Sequence, residues 1–230
     1  LEVEQLKKAV GREASLLVES GMRLGLGTGS TVAHFLVSLA ERIKKGKIVD
    51  VLGVPSSVWT EERAQELGIP LTSLAENPIL DLTIDGADEV DPHLNLIKGL
   101  GGALLREKII AQASRRLAIM VDGSKIVDQL GKNSPVPVEV VPFGWEVHIQ
   151  FMESMGATVE RRIAPEGDPF ITDNGNLILD CYFGDGLCDS EEFEKNLALR
   201  AGVVESGLFI QMTTEVLVTE INGSVNTLYP

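Results

Sequence analysis

Residues 22–43 read MRLGLGTGSTVAHFLVSLAERI. Met22 to Leu26 predicts a short strand, and GTGST at 27–31 a glycine turn that closes it. Val32, Phe35, Leu36, Leu39 and Ile43 then recur at offsets of 3, 4, 7 and 11, one apolar stripe along a helix. Strand, tight turn and helix in that order make the first half of a βαβ unit.

The same rhythm continues on both sides. Upstream, residues 4–18 place Leu6, Val10 and Leu17 with helical spacing, ended by Gly21. Downstream, Asp50–Val54 predicts a strand, and Pro55-Ser56-Ser57 opens a helix that runs to Leu67 and stops at Gly68. Ile69–Leu74 and Leu80–Ile84 read as strands, the second leading into DGADEVD at 85–91. Leu94–Ile97, a glycine-rich KGLGG at 98–102, a helix over 103–113 and an apolar strand at Leu117–Val121 follow. The alternation predicts an α/β fold: a Rossmann-like, mostly parallel sheet wrapped by helices, functional at the C-terminal ends of its strands.

After Lys132 the pattern changes. Pro135, Pro137 and Pro142 bracket a strand at Val138–Val141; 145–155 and 191–199 look helical; Thr158–Ile163 and Leu177–Tyr182 look like strands. The expectation is a smaller α+β domain, 133–205, inserted near the C-terminal part of a catalytic α/β domain made of 1–132 and 206–230. Leu208–Gln211 and Val216–Ile221 are expected to rejoin the first sheet.

Of the 230 residues, 44% are hydrophobic and 23% charged, and mean hydropathy is +0.13. These are globular values. The net charge of −14 lacks the basic footprint that nucleic-acid binding needs. Residues 160–230 carry 13 acids and 4 bases, the remainder 21 and 16, so the first part is the better host for an anion. Cys181 and Cys188 fit neither a zinc site nor a disulfide framework, and read as reduced thiols of an intracellular protein. No apolar run approaches the roughly 20 residues of a membrane span. The N-terminal LEVEQLKKAVGREA has charges throughout and no signal core. A cytoplasmic location is expected, or a plastid or other organelle if a leader has been removed.

Three strings can carry chemistry. In GTGST, glycines expose backbone N–H groups, the helix N-terminus adds partial positive charge, and Ser30 and Thr31 add hydroxyls. This is either a phosphate cradle or an ordinary capped turn. It matches neither the Walker loop nor the dinucleotide fingerprint. In DGADEVD, Asp85 and Asp88 lie three residues apart after a strand. They can handle hydroxyl protons, bind a divalent cation, or simply form a solvated acidic turn. In KGLGGALLREK, Lys98 precedes the turn and Glu107 lies in the helix. A lysine can stabilise an oxyanion, and a carboxylate buried in an apolar pocket can act as a base. Glu107 can equally be a surface residue pairing with Arg106 or Lys108. Lys125 by itself reads as solvent-exposed. His34, His93 and His148 share no ligand spacing, so no metal site is expected.

The ordered set resembles type A ribose-5-phosphate isomerases: LKKAVG at 6–11, GTGST at 27–31, DGADEVD at 85–91, KGLGGALLREK at 98–108, VDGSK at 121–125, PVPVEVVPF at 135–143, TDNGNLILD at 172–180 and GLF at 207–209. Leu100 stands where that family usually has Gly or Arg. The resemblance implies interconversion of D-ribose 5-phosphate and D-ribulose 5-phosphate through an enediolate, with no metal and no organic cofactor. It implies Glu107 as proton acceptor, and Lys98 with the amides of Gly99, Leu100 and Gly101 at the enediolate oxygen. Asp85, Gly86, Ala87 and Asp88 would meet hydroxyls, with Asp85 assisting ring opening. Thr28, Gly29, Ser30 and Thr31 would line the substrate site with Lys125, and Lys7 would be a further phosphate ligand. The partner implied is a pentose phosphate, with neither nucleic acid nor membrane, in a homodimer or homotetramer. An acyl-CoA transferase can share a GxGST-like loop, and a sugar-phosphate sensor can reuse a related fold. The first needs a nucleophilic glutamate; the second usually carries a basic DNA-binding region, absent from this acidic chain.

Overall fold

The structure, a computed structural model, describes residues 2–230. It divides into two compact units. The first comprises 2–87, Arg106–Ile126 and Met212–Pro230; the second comprises Asp88–Leu105 and Val127–Gln211. The domain expected at 133–205 lies inside the second unit, which also takes in 88–105 and 206–211.

The first unit is built on a six-stranded sheet. Its strands are β1 (Arg23–Leu26), β2 (Leu52–Pro55), β3 (Leu82–Gly86), β6 (Leu117–Asp122), β12 (Glu215–Thr219) and β13 (Val225–Leu228). Their order is β13-β12-β6-β3-β1-β2, parallel throughout except for the antiparallel edge pair β12–β13. β6 and β12 are almost continuously buried, as strands covered on both faces must be. Helices α1 (Val3–Ser15), α2 (Ser30–Lys44) and α3 (Val58–Leu67) accompany this sheet. Val10 of α1, Phe35 and Leu36 of α2, and Leu24, Leu82 and Ile84 of the strands share one core. Each such side chain contributes about 1.5–3 kcal/mol by leaving water.

The second unit holds two antiparallel sheets. β7 (Val136–Val140), β8 (Thr158–Arg161), β9 (Leu177–Tyr182) and β10 (Val203–Ser206) order as β10-β7-β9-β8. β4 (Glu89–Val90), β5 (Leu96–Ile97) and β11 (Leu208–Phe209) order as β11-β5-β4. Helices α5 (Val147–Glu153) and α6 (Ser190–Ala198) complete it. Helix α4 (Leu104–Gln112) begins in the second unit and continues in the first.

Two expected strands are corrected. Ile69–Leu74 forms only an isolated bridge, Gly53 with Leu71, because Pro70 within that run has no N–H to give a ladder. Leu208–Gln211 does not rejoin the first sheet. Leu208 and Phe209 pair with Ile97 and Leu96, and Gln211 has a φ of 53° that ends extension. Val216–Ile221 does rejoin it, as β12. β4, β10 and β13 were not expected; all are short, and β13 is largely exposed. Among the described residues no helix is long and apolar enough to cross a membrane.

Candidate active site

In the first unit, the GTGST turn joins β1 to α2 and is held from beneath by Asp85. Asp85 is 1% exposed. Its Oδ1 accepts the Thr28 N–H at 3.1 Å and the Gly86 N–H at 2.7 Å. This approach requires glycine at 27, where a Cβ would lie 2.1 Å from Asp85 Oδ1. Gly29, with φ 115°, is the N-cap of α2, a backbone that a side chain would strain. Ser30 and Thr31 then open the helix, and Lys7 of α1 donates from Nζ to Ser30 Oγ at 2.8 Å.

Hydroxyls that the sequence reading did not single out brace the same turn. Thr28 donates to Ser57 Oγ (2.8 Å), Ser57 to Thr60 Oγ1 (2.9 Å), and Thr60 to the Gly27 carbonyl (2.7 Å). Ser56 Oγ lies 2.8 Å from Thr28 Oγ1. Ser57 also accepts the Thr60 N–H as the N-cap of α3. Ser56, Ser57 and Thr60 are buried. A one-way chain of hydroxyls that closes on Gly27 fixes Thr28 and sets the entry to α2. Its only sequence signal was Ser56-Ser57, read as the start of a helix.

Glu107 is in the first turn of α4 and 5% exposed, so it is not a surface residue. Lys125 closes a 3-10 turn at Gly123–Lys125 beyond β6 and is half-buried. Gly86 ends β3, and Ala87 follows it.

In the second unit, the β4–β5 hairpin brings Asp88 to the KGLGG turn. The Asp88 N–H donates to the Ile97 carbonyl at 2.8 Å, and Asp88 Oδ2 accepts the Leu100 N–H at 3.0 Å. Lys98 is 2% exposed, its ammonium 5.5 Å above the Phe209 ring. Its N–H donates to the Gly207 carbonyl at 2.8 Å. The GLF string thus serves as the wall behind Lys98. Leu100 turns its side chain outward, 42% exposed. Gly99 is buried and Gly101 exposed. Arg162 donates to the Gly99 and Leu100 carbonyls at 2.9 and 3.0 Å.

His34 Nε2 donates to the Glu4 carboxylate at 2.8 Å, a tie between α1 and α2. Among the described residues no group of three or more His, Cys, Asp or Glu side chains is placed to hold a metal ion. Cys181 and Cys188 are both free thiols.

A family model described as ribose 5-phosphate isomerase A (phosphoriboisomerase A) matches residues 52–223. The chain belongs to the ribose 5-phosphate isomerase A family. Ribose-5-phosphate isomerase A of Chloroflexus aurantiacus is 50% identical over 220 residues, covering 95% of this chain and 92% of that one. The solved ribose 5-phosphate isomerase of Plasmodium falciparum is 42% identical with a TM-score of 0.96, covering 99% of each chain. A D-ribose-5-phosphate isomerase solved in complex with phospho-erythronic acid is 41% identical with a TM-score of 0.96, over 100% of both chains. Ribose 5-phosphate isomerases A are aldose–ketose isomerases that interconvert ribose 5-phosphate and ribulose 5-phosphate. This membership sets aside the CoA-transferase and sensor readings.

Proposed function

We propose that this chain converts D-ribose 5-phosphate to D-ribulose 5-phosphate with Glu107 as the proton acceptor. Glu107 removes the C2 proton of the open-chain aldose, leaving an enediolate, and returns a proton to C1. Lys98, with the Gly99 and Gly101 amides, carries the charge that develops on the enediolate oxygen, the Leu100 amide being taken by Asp88. Asp85 and Asp88 bind substrate hydroxyls, and Asp85 assists ring opening; Gly86 and Ala87 line the same turn. The α2 N-terminus at Thr28–Thr31, with Lys7 and Lys125, holds the phosphate end.

The observation that supports this reading most is the burial of Glu107. A carboxylate withdrawn from water keeps its basicity for a carbon acid rather than spending it on solvent. The Lys7–Ser30 bond at 2.8 Å supports a phosphate cradle over a bare capped turn. Homodimer or homotetramer assembly and a cytoplasmic location complete the proposal. Phe143, Val147 and Leu199, 94%, 61% and 79% exposed, offer apolar surface that association would cover.

The oxidation of C2 is balanced by the reduction of C1 within the substrate, so the reaction asks for no external oxidant or reductant, and the Lys98 ammonium supplies positive charge by hydrogen bonding in place of a metal. Purified protein is expected to isomerise ribose 5-phosphate at an unchanged rate in metal-free buffer with EDTA. Loss of turnover on chelation, restored by a divalent cation, would show instead that the aspartates hold a metal.

A further inference from the structure

Arg162 follows β8, and its guanidinium is used on three sides. Nε donates to Asp180 Oδ2 at 2.8 Å, and Nη2 to Asp180 Oδ1. Nη1 donates to two successive carbonyls of the glycine-rich turn, Gly99 at 2.9 Å and Leu100 at 3.0 Å. The side chains of Arg162 and Asp180 are 11% and 10% exposed, and the Phe170 ring lies 5.7 Å from the guanidinium carbon. A two-point Arg–carboxylate pair fixes the plane of the guanidinium. Its remaining edge is therefore a rigid fork aimed at the turn.

The consequence follows from the peptide group itself. No peptide bond among the described residues is cis, so each C=O points opposite to the N–H that follows it. With the Gly99 carbonyl held by Arg162, the Leu100 N–H must face away, where it meets Asp88 Oδ2. With the Leu100 carbonyl held by the same nitrogen, the Gly101 N–H must face away too. Glycines at 99 and 101 leave these two peptide planes little resistance to rotation. The exposed Leu100 side chain supplies no anchor of its own.

We infer that Arg162, braced by Asp180, is a positioning residue for the isomerisation: it sets the direction of the Leu100 and Gly101 amides, so that one orients Asp88 and the other is presented, already aligned, to the enediolate oxygen. This rests on the isomerase reading above. It gives TDNGNLILD, a string with no role in the chemistry until now, the task of supplying Asp180. Lysine cannot replace the arginine, since one ammonium cannot serve a carboxylate and two carbonyls in a fixed plane.

The test is steady-state kinetics of Arg162→Ala and Arg162→Lys beside the wild type, with phospho-erythronic acid as a probe of enediolate recognition. Removing an oxyanion donor outright costs about 10²–10³ in kcat; misaiming one is expected to cost roughly 10–10². The expected result is that fall in kcat with KM for ribose 5-phosphate within about threefold. Phospho-erythronic acid should weaken about tenfold or more, and millimolar guanidinium should restore part of the Arg162→Ala rate. A wild-type kcat in either folded variant overturns the inference, as does a rise in KM alone. So does a kcat loss no larger than the loss of folded protein by circular dichroism. If Arg162→Ala does not fold, Arg162→Lys, which keeps a cation beside Asp180, decides by the same criteria. A wild type that does not turn over ribose 5-phosphate sinks the isomerase reading, and the positioning role with it. Normal wild-type turnover with unaffected variants sinks the positioning role alone.

Discussion

Glu107 and Gln differ by one oxygen and one nitrogen, so exchanging them isolates basicity from shape. Glu107→Gln is expected to keep the fold, since the residue stays in the first turn of α4 and retains its volume. General-base contributions are typically ~10²–10⁴-fold, and kcat should fall on that order. Solvent-tritium exchange at C2 should fall in parallel, because it reports the same proton abstraction. Near-full turnover by the variant, with C2 exchange lost instead in an Asp85 or Asp88 variant, would move the base to the DGAD turn. Glu107, Lys98, Asp85 and Asp88 were legible as candidates because their strings are local and charged. Ser57 and Arg162 were not: Thr28 and Ser57 are 29 residues apart, and Arg162 and Gly99 are 63 apart. No local pattern announces a contact made only when distant segments meet.

Elements with a strong period were readable, and those defined by their partner were not. The stripe from Val32 to Ile43 became α2, and the apolar runs became β3, β6 and β9 almost at the expected bounds. Leu208–Phe209 was visibly extended, but its neighbour depends on where the β4–β5 hairpin lies, which no periodicity encodes. A consequence at this scale concerns α5. His148 on α5 is 2% exposed and accepts from Arg200 Nε through Nδ1 at 3.0 Å, so the ring must be neutral there. Burial first, and the Arg200 charge second, hold its pKa below 6.5. The folded state therefore takes up this proton less readily than the unfolded chain. The stability it protects is present above about pH 6.5 and is lost as pH falls through the lower folded value. Thermal melts from pH 7.5 to 5 are expected to show this component in the wild type and to lack it in His148→Gln. Identical pH slopes in both proteins would refute it.

Across the whole molecule, a net charge of −14 repels a phosphorylated substrate at a distance. Attraction must come from close groups, and in the proposed site these are the α2 N-terminal amides with Lys7 and Lys125. Ribose without its phosphate is thus expected to show a far lower kcat/KM. Lys125→Ala should act mainly on KM, as loss of a ground-state anchor does. Equal kcat/KM for ribose and ribose 5-phosphate would remove the anchoring role. The first unit's three-segment make-up has a consequence for synthesis. β6 takes β12 as its parallel neighbour, Ala118 beside Glu215 through Asp122 beside Thr219, and β12 is made nearly a hundred residues later. While the ribosome completes the second unit, the edge of β6 stays open, a buried strand without its last partner. Such an edge is a template for pairing with other chains. The nascent protein is most exposed to aggregation in that interval, until β12 and β13 close the sheet.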